Sequence, residues 1–234
     1  MIRKRAANTR GHFDHGWLKT YHTFSFADYY DPRNMGFHSL RVINEDWVMA
    51  GQGFGTHPHR DMEIVTYILE GALEHKDSMG NGSIIRPGDV QRMSAGTGIT
   101  HSEFNPSKSE AVHLLQIWIM PNRRGFAPTY EQVFVSEADR TNKLRLISGP
   151  EGSGADVTIQ QDAKMFSSFL ETGSSVSYSF APGRAGFLQV AGGSLTVGGL
   201  TLEHGDSAEI EGETSITIKG ESAEKAHFVL FDLA

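Results

Sequence analysis

Two stretches, GQGFGTHPHRDMEIVTYILEG (residues 51–71) and GTGITHSEFN (residues 96–105), carry the reading of the fold. Each contains two metal-binding side chains separated by one residue: His57 and His59 in the first, His101 and Glu103 in the second. In an extended strand, residues i and i+2 project to the same face, so each pair can aim both side chains at one interior point. Three imidazoles and one carboxylate could then close on a single ion. A Gly-rich turn precedes each pair, which is the punctuation of short strands rather than of helices.

Working outward, alternating or β-branched runs recur between turn signals: Leu40 to Met49, Glu63 to Leu69, Val112 to Met120, Leu144 to Ile147, Val176 to Phe180, Phe187 to Val190, Ser215 to Ile218 and His227 to Phe231. This spacing predicts an all-β sandwich or barrel. Asn81-Gly82 predicts a two-residue type I′ hairpin, and Arg86-Pro87-Gly88-Asp89 a further turn. No helical period is sustained, although Thr129 to Arg140 could hold a short helix. The segment PNRRGFAP (121–128) separates two strand-rich halves and sets an expected boundary between domains 1–122 and 123–234. The second half has its own Gly-punctuated series, VAGGSLTVGGLTLEHGDSAEI (190–210), so two similar β units in tandem are expected. That half holds only His204 and His227 and no His-x-His pair, which confines the expected metal site to the first unit.

A chain of 234 residues can bury a core without disulfides or a structural metal, so a bound ion would serve function. The absence of Cys removes thiolate ligands, thiol nucleophiles and iron-sulfur clusters. A net charge of −7, with Arg3, Lys4 and Arg5 as the one basic cluster, argues against direct nucleic-acid binding. No apolar run approaches the roughly 20 residues that span a bilayer, and the basic opening is not followed by an apolar stretch. A cytoplasmic monomer is expected.

The motifs carry a family resemblance. Gly51, His57-x-His59, Glu63 and Gly71 are similar to the first cupin motif, and Gly98, His101 and Asn105 to the second. Glu63 stands one residue earlier than the usual ligand Glu, Gly96 replaces the usual Pro, and Glu103 supplies the missing carboxylate. With THPHRDMEIVTYILEGALEHKDSMGN (56–81), DVQRMSAGTGITHSE (89–103) and HTFSFADYYDP (22–32), residues 10 to 120 resemble the pirin family. The resemblance implies a bicupin of two tandem jelly-roll β-barrels, the N-terminal one holding a single ion through His57, His59, His101 and Glu103. It implies Fe(II), although Zn, Mn, Co, Ni and Cu accept the same donors. Three neutral imidazoles and a carboxylate around a divalent ion sum to +1, which favours an anionic ligand such as a phenolate.

The expected activity by this resemblance is a dioxygenase that cleaves flavonols such as quercetin with O2 and release of CO, with Glu103 as both ligand and general base. The alternative is a non-catalytic, iron-dependent redox-sensing regulatory protein acting through protein partners. An isomerase or hydrolase on the same fold is a third reading. Phe24, Phe26, Phe37, Phe54 and Met62 are candidate walls of a flat pocket. Glu63 is expected in an ordinary role or behind the ligands, where it could hold a ring N–H of a ligating His. His22 is read as core or pocket wall, His113 as a hydrogen-bonded core residue, and His12 and His15 as polar loop residues. His75, His204 and His227 carry no signal.

Overall fold

Side chains that alternate between core and solvent hold the chain in short strands. Ser215–Gly220, for example, exposes and buries its residues in strict alternation, the period of a half-buried strand. The computed structural model describes all residues from Met1 to Ala234. It contains twenty-two strands and a single 3-10 turn at Ala7–Thr9. The fold is all-β, as the sequence predicts.

The chain divides into two compact units, one of residues 10–134 and 157–161, the other of 1–9, 135–156 and 162–234. Strand β1 (Ile2–Arg5) belongs to the second. The first, N-terminal unit holds β2 (Gly11–Asp14), β3 (Leu18–His22), β4 (Leu40–Val48), β5 (Gly53–His59), β6 (Glu63–Glu70), β7 (Leu73–Asp77), β8 (Gly82–Ile85), β9 (Asp89–Ser94), β10 (Ile99–Phe104), β11 (Val112–Ile119) and β12 (Thr129–Phe134). Its larger sheet has the order β12–β9–β6–β11–β4–β3–β2, and its smaller sheet β5–β10–β7–β8.

The second, C-terminal unit contributes β13 (Arg145–Gly149), and β14 (Val157–Thr158) returns to the first unit. The remainder are β15 (Ala163–Leu170), β16 (Ser175–Ser179), β17 (Ala185–Gly192), β18 (Ser194–Val197), β19 (Leu200–Glu203), β20 (Ser207–Ile210), β21 (Ser215–Gly220) and β22 (Ala226–Leu233). They form the series β1–β20–β17–β22–β15–β13 and a second sheet β16–β21–β18–β19. The topology repeats strand for strand: β4 to β11 of one unit recur as β15 to β22 of the other.

Two local expectations are corrected. Thr129–Phe134 is strand, not helix, because it adds to the edge of β9, with Thr129 opposite Ser94 and Phe134 opposite Asp89. The Arg92 guanidinium fixes this pairing through Glu131 and Thr129. β7 and β8 do form a hairpin, but not through an Asn-Gly turn. Asp77 accepts from the backbone N–H groups of Met79 and Asn81 (2.9 and 3.0 Å), closing a longer loop whose left-handed residue is Gly80.

The compact units also differ from a division at 122/123. The segment 121–128 is stitched onto the N-terminal unit: Gly125 N–H donates to Asp61 Oδ1 at 2.9 Å, and Thr97 N–H to the Phe126 carbonyl at 2.8 Å. Gly96 explains why Pro is replaced here. It has φ of +48°, and a Cβ on it would stand 2.2 Å from the Phe126 carbonyl oxygen.

The interior face of the larger N-terminal sheet is interrupted by polar residues. Cross-strand pairs His22–Asn44, Asn44–Gln116, Gln116–Thr66 and Thr66–Gln91 make one row across five strands. One side of this row holds a cluster of Leu18, Val48, Ile68, Leu73, Ile85, Val112 and Leu114. The other side holds Ile64, Met93, Ala95 and Ile99, with Met62 and Trp118 packed on them.

Candidate metal centre

β5 and β10 run antiparallel with His57 opposite His101, which brings the two sequence pairs together. The register shifts between His101 and Glu103, so Gly55 and Thr56 share the space opposite Ser102. Gly53 makes the close approach possible: a Cβ there would lie 2.2 Å from the Glu103 carbonyl oxygen. The rings of His57, His59 and His101 have centroids 4.5 to 4.8 Å apart, and one nitrogen from each falls within 4.8 Å of the others. An overlapping group of the same tightness joins His101 and Glu103 to His75.

Proton accounting fixes which nitrogens face the centre. His57 Nδ1 lies 2.8 Å from the Gly55 carbonyl oxygen, which only accepts, so Nδ1 carries the proton and Nε2 keeps its lone pair. His75 Nε2 lies 3.2 Å from Asp77 Oδ2, and a carboxylate likewise requires the proton on that nitrogen. In the neutral form of His75, Nδ1 is an acceptor 3.4 Å from His101 Nδ1, and the shared proton then belongs to His101. His101 Nε2 is left as a buried lone pair with no protein partner. Asp77, His75 and His101 thus form a chain that orients a ring by its tautomer, as carboxylate-histidine pairs do behind bound metals.

Charge is disfavoured on two of the rings, His59 and His101. Burial, then His57, lowers the His59 pKa to about 4. Burial, then His57, His59 and His75, against an opposing Asp77, lowers His101 to about 3. Both are neutral donors at neutral pH. Burial works against the charge on Asp77, but the Asn81 side chain, His75 and the N–H groups of Asn81 and Met79 outweigh it and hold the carboxyl below its usual range. Glu103 is 3% exposed and is held by Gln116 Nε2, 3.2 Å from both of its oxygens, and by Thr66 Oγ1 at 3.4 Å. Burial raises its pKa, opposed by His75, Gln116, His57 and Thr66. Such crowding of lone pairs around unpaired, uncharged nitrogens fits a cation, and the N3O donor set suits one divalent transition ion.

These residues form one end of a cavity of about 440 Å³. Two edge-to-face pairs wall it, Trp17–Phe54 and Phe26–Trp118, each with centroids 5.2 Å apart, and Trp118 also packs edge-on to His59 at 5.0 Å. Thr20, His22, Asn44, Asp46 and Gln116 line it from β3, β4 and β11. Burial, opposed by a Thr20 hydrogen bond and reinforced by Glu103 and Glu45, pushes Asp46 up to about 7.

Of the four sequence-predicted ligands, His57, His59 and His101 form one group, Glu103 joins His101 in a second with His75, and all four line the cavity. Of the five predicted wall residues, Phe26 and Phe54 line the cavity. Phe24 and Phe37 are buried core, and Met62 packs on the Ile64 cluster. Glu63 does not hold a ligand ring: its carboxylate accepts from Ser94 Oγ at 2.7 Å. The Gly55 carbonyl and His75 take that role. His113 is a core residue, 2.9 Å from Glu45 and stacked on Trp47 at 4.0 Å. Sequence reasoning missed His75 and Asp77, whose signal is their i, i+2 spacing on β7. It also missed Trp17, Trp118 and Gln116; the last stands as a polar break in the apolar run of β11.

Comparison with known proteins agrees with this architecture. Residues 3–119 match the Pirin family, and residues 146–233 match the quercetinase C-terminal cupin domain. A protein named quercetin 2,3-dioxygenase from Escherichia coli (strain K12) is 47% identical over 233 residues, covering 100% of this chain and 99% of its own. The crystal structure of YhhW from Escherichia coli superposes with a TM-score of 0.94 at 46% identity, over 100% of this chain and 98% of that one. A nickel(II) complex of the bacterial pirin YhhW superposes with a TM-score of 0.92 at 46% identity, over 100% and 99%. With both barrels matched and the likeness running the full length of the chain, this protein belongs to the pirin family.

Proposed function

We propose that the chain is a metal-dependent dioxygenase that opens flavonols such as quercetin with O2 and releases CO, using His57, His59, His101 and Glu103 as ligands of one divalent ion. The observation that carries this reading is the arrangement itself: three clustered imidazoles and a buried carboxylate lining a cavity with flat aromatic walls. The name of the Escherichia coli relative supports the substrate class, and its nickel complex supports a metal in this fold. We take the ion as Fe(II), following the family; the donors also accept nickel and its neighbours.

When bound, the ion supplies Lewis acidity that favours the deprotonated form of a phenolic hydroxyl. The protein's own residues perform the rest. Trp17, Phe54, Phe26 and Trp118 bind flat rings and exclude water. Glu103 accepts the proton of the flavonol 3-hydroxyl, and its raised affinity for protons suits a general base. Gln116 and Thr66 hold both carboxylate oxygens in place during that transfer.

The test is oxygen uptake with CO detection on protein reconstituted anaerobically with Fe(II) and given quercetin, beside His101→Ala. Metal-dependent uptake matched by CO, and lost in the variant, is expected. A fully loaded protein with no turnover would defeat the proposal and leave the partner-acting regulatory role in its place.

A further inference from the structure

The cavity contains a second polar feature that the metal chemistry does not use. Asn44 and Asp46 stand two apart on β4 and so share a face, and the cross-strand register sets His22 beside Asn44 and Thr20 beside Asp46. All four line the cavity. Asn44, Asp46 and His22 are 4%, 5% and 4% exposed, yet Asn44 Oδ1, Asp46 Oδ1 and His22 Nδ1 are buried without a partner. The remaining capacity of two of these side chains is taken: Thr20 hydrogen-bonds the Asp46 carboxyl, and a ring nitrogen of His22 bonds the Phe26 backbone. Since Nδ1 is the free nitrogen of His22, the bond to the Phe26 carbonyl uses Nε2–H, and Nδ1 is an acceptor. Asn44 Oδ1 and His22 Nδ1 therefore accept, and Asp46 Oδ1 accepts whenever its carboxyl is ionised.

Buried polar atoms are almost always paired, so three unpartnered ones on side chains that line one cavity mark a place for a ligand to complete. The ligand must bring O–H or N–H donors on a flat apolar body, because the walls are Trp17, Phe26, Phe54 and Trp118. That combination describes a ring bearing hydroxyl groups. An unsubstituted aromatic would fit the walls and leave the acceptors unpaired. The acceptors lie one and two strands from Gln116, which holds Glu103, so they reach about 5 to 10 Å beyond it along the sheet.

We propose that Asn44, Asp46 and His22 form a hydroxyl-reading subsite that selects flavonols carrying phenolic hydroxyl groups remote from the metal-facing 3-hydroxyl. This rests on the flavonol reading and deepens it. A site built to pair such groups discriminates strongly against analogues that lack them, because its acceptors are then buried unpaired.

The experiment compares quercetin with 3-hydroxyflavone, which keeps only the 3-hydroxyl. Binding is followed anaerobically by quenching of tryptophan fluorescence on the metal-loaded protein, with kcat and KM measured separately in air. Quercetin is expected to bind roughly 10- to 100-fold more tightly than 3-hydroxyflavone. Asn44→Leu and Asp46→Leu are each expected to reduce that ratio about ten-fold, chiefly through Kd and KM, with Asp46→Asn restoring part of it. Equal affinity of the native protein for the two flavonols, or a ratio unchanged in both Leu variants, would overturn the subsite. If both flavonols are turned over alike, the subsite falls and the dioxygenase stands. If neither binds, both proposals fall together.

Discussion

The two units share a strand plan and differ where it meets in the smaller sheet. At the β5–β10 pair of the N-terminal unit, His57 faces His101. At the equivalent β16–β21 pair, Val176 faces Ile218 and Tyr178 faces Ile216. There the core is continuous: Ile216 and Ile218 join Leu195, Val197 and Leu202 of the same sheet to Phe166, Leu188, Val190 and Phe228 of the other, with Val176 and Tyr178 packed against them. The Tyr178 hydroxyl finds its partner in Asp232, which also binds Arg184. In the N-terminal unit, the polar row through Asn44, Gln116 and Thr66 lies between two apolar clusters. The same scaffold can close on itself or hold open a lined cavity, and a few inward positions decide which. Buried apolar area stabilises the first at about 25 cal/mol per Å², and the second forgoes part of that stabilisation for chemistry.

The comparison breaks most sharply at the ligands. His101→Ala is expected to lower metal affinity about 100-fold or more, since roughly 10–16 kcal/mol of binding is shared among four ligands of a structural site. Equilibrium dialysis with metal analysis measures this, and unaltered affinity would place the ion elsewhere. On the other side, Ile218→Ala should destabilise by about 2–5 kcal/mol, because that side chain is fully buried in a continuous core. Denaturant unfolding reads the loss, and a change under about 1 kcal/mol would show that the C-terminal core is not the close-packed body described.

Asp77→Asn tests the chain behind His101. It removes the acceptor that sets the His75 tautomer, and a loss of about 10- to 100-fold in metal affinity is expected, with the His101 ring nitrogens shifting in 15N NMR spectra. Lower affinity without that shift would indicate a merely structural role in the β7–β8 turn. The smallest effect concerns pH. Burial favours the neutral ring, so in the metal-free protein His101 and His59 should stay unprotonated down to about 3 and 4, while an exposed imidazole protonates near 6.5. Titration of either ring near 6.5 in NMR spectra would contradict the burial described.

Much of this was legible in residue order. Strands expected at Leu40 to Met49 and Val112 to Met120 appear as Leu40–Val48 and Val112–Ile119, because alternation at period two reports burial directly. The two i, i+2 pairs that β5 and β10 bring together were legible for the same reason. What escaped depends on partners distant in sequence. β12 reads as helix-compatible until β9 offers it an edge, and Asn81-Gly82 reads as a tight turn until the Asp77 carboxylate closes a longer one. His75 carries no signal alone; it gains one only when β7 pairs with β10 and sets it opposite Glu103. Trp17 and Trp118 became visible as walls only once β3 and β11 were placed in one sheet.

Anomalous X-ray scattering at the metal edge, on crystals of Fe(II)-reconstituted protein, tests the central claim most directly. A single peak per chain is expected among His57 Nε2, His59, His101 Nε2 and the Glu103 carboxylate, with none beside Val176 and Ile218. A peak held by His75, His101 and Glu103 without His57 and His59, or any peak in the C-terminal unit, would contradict the account.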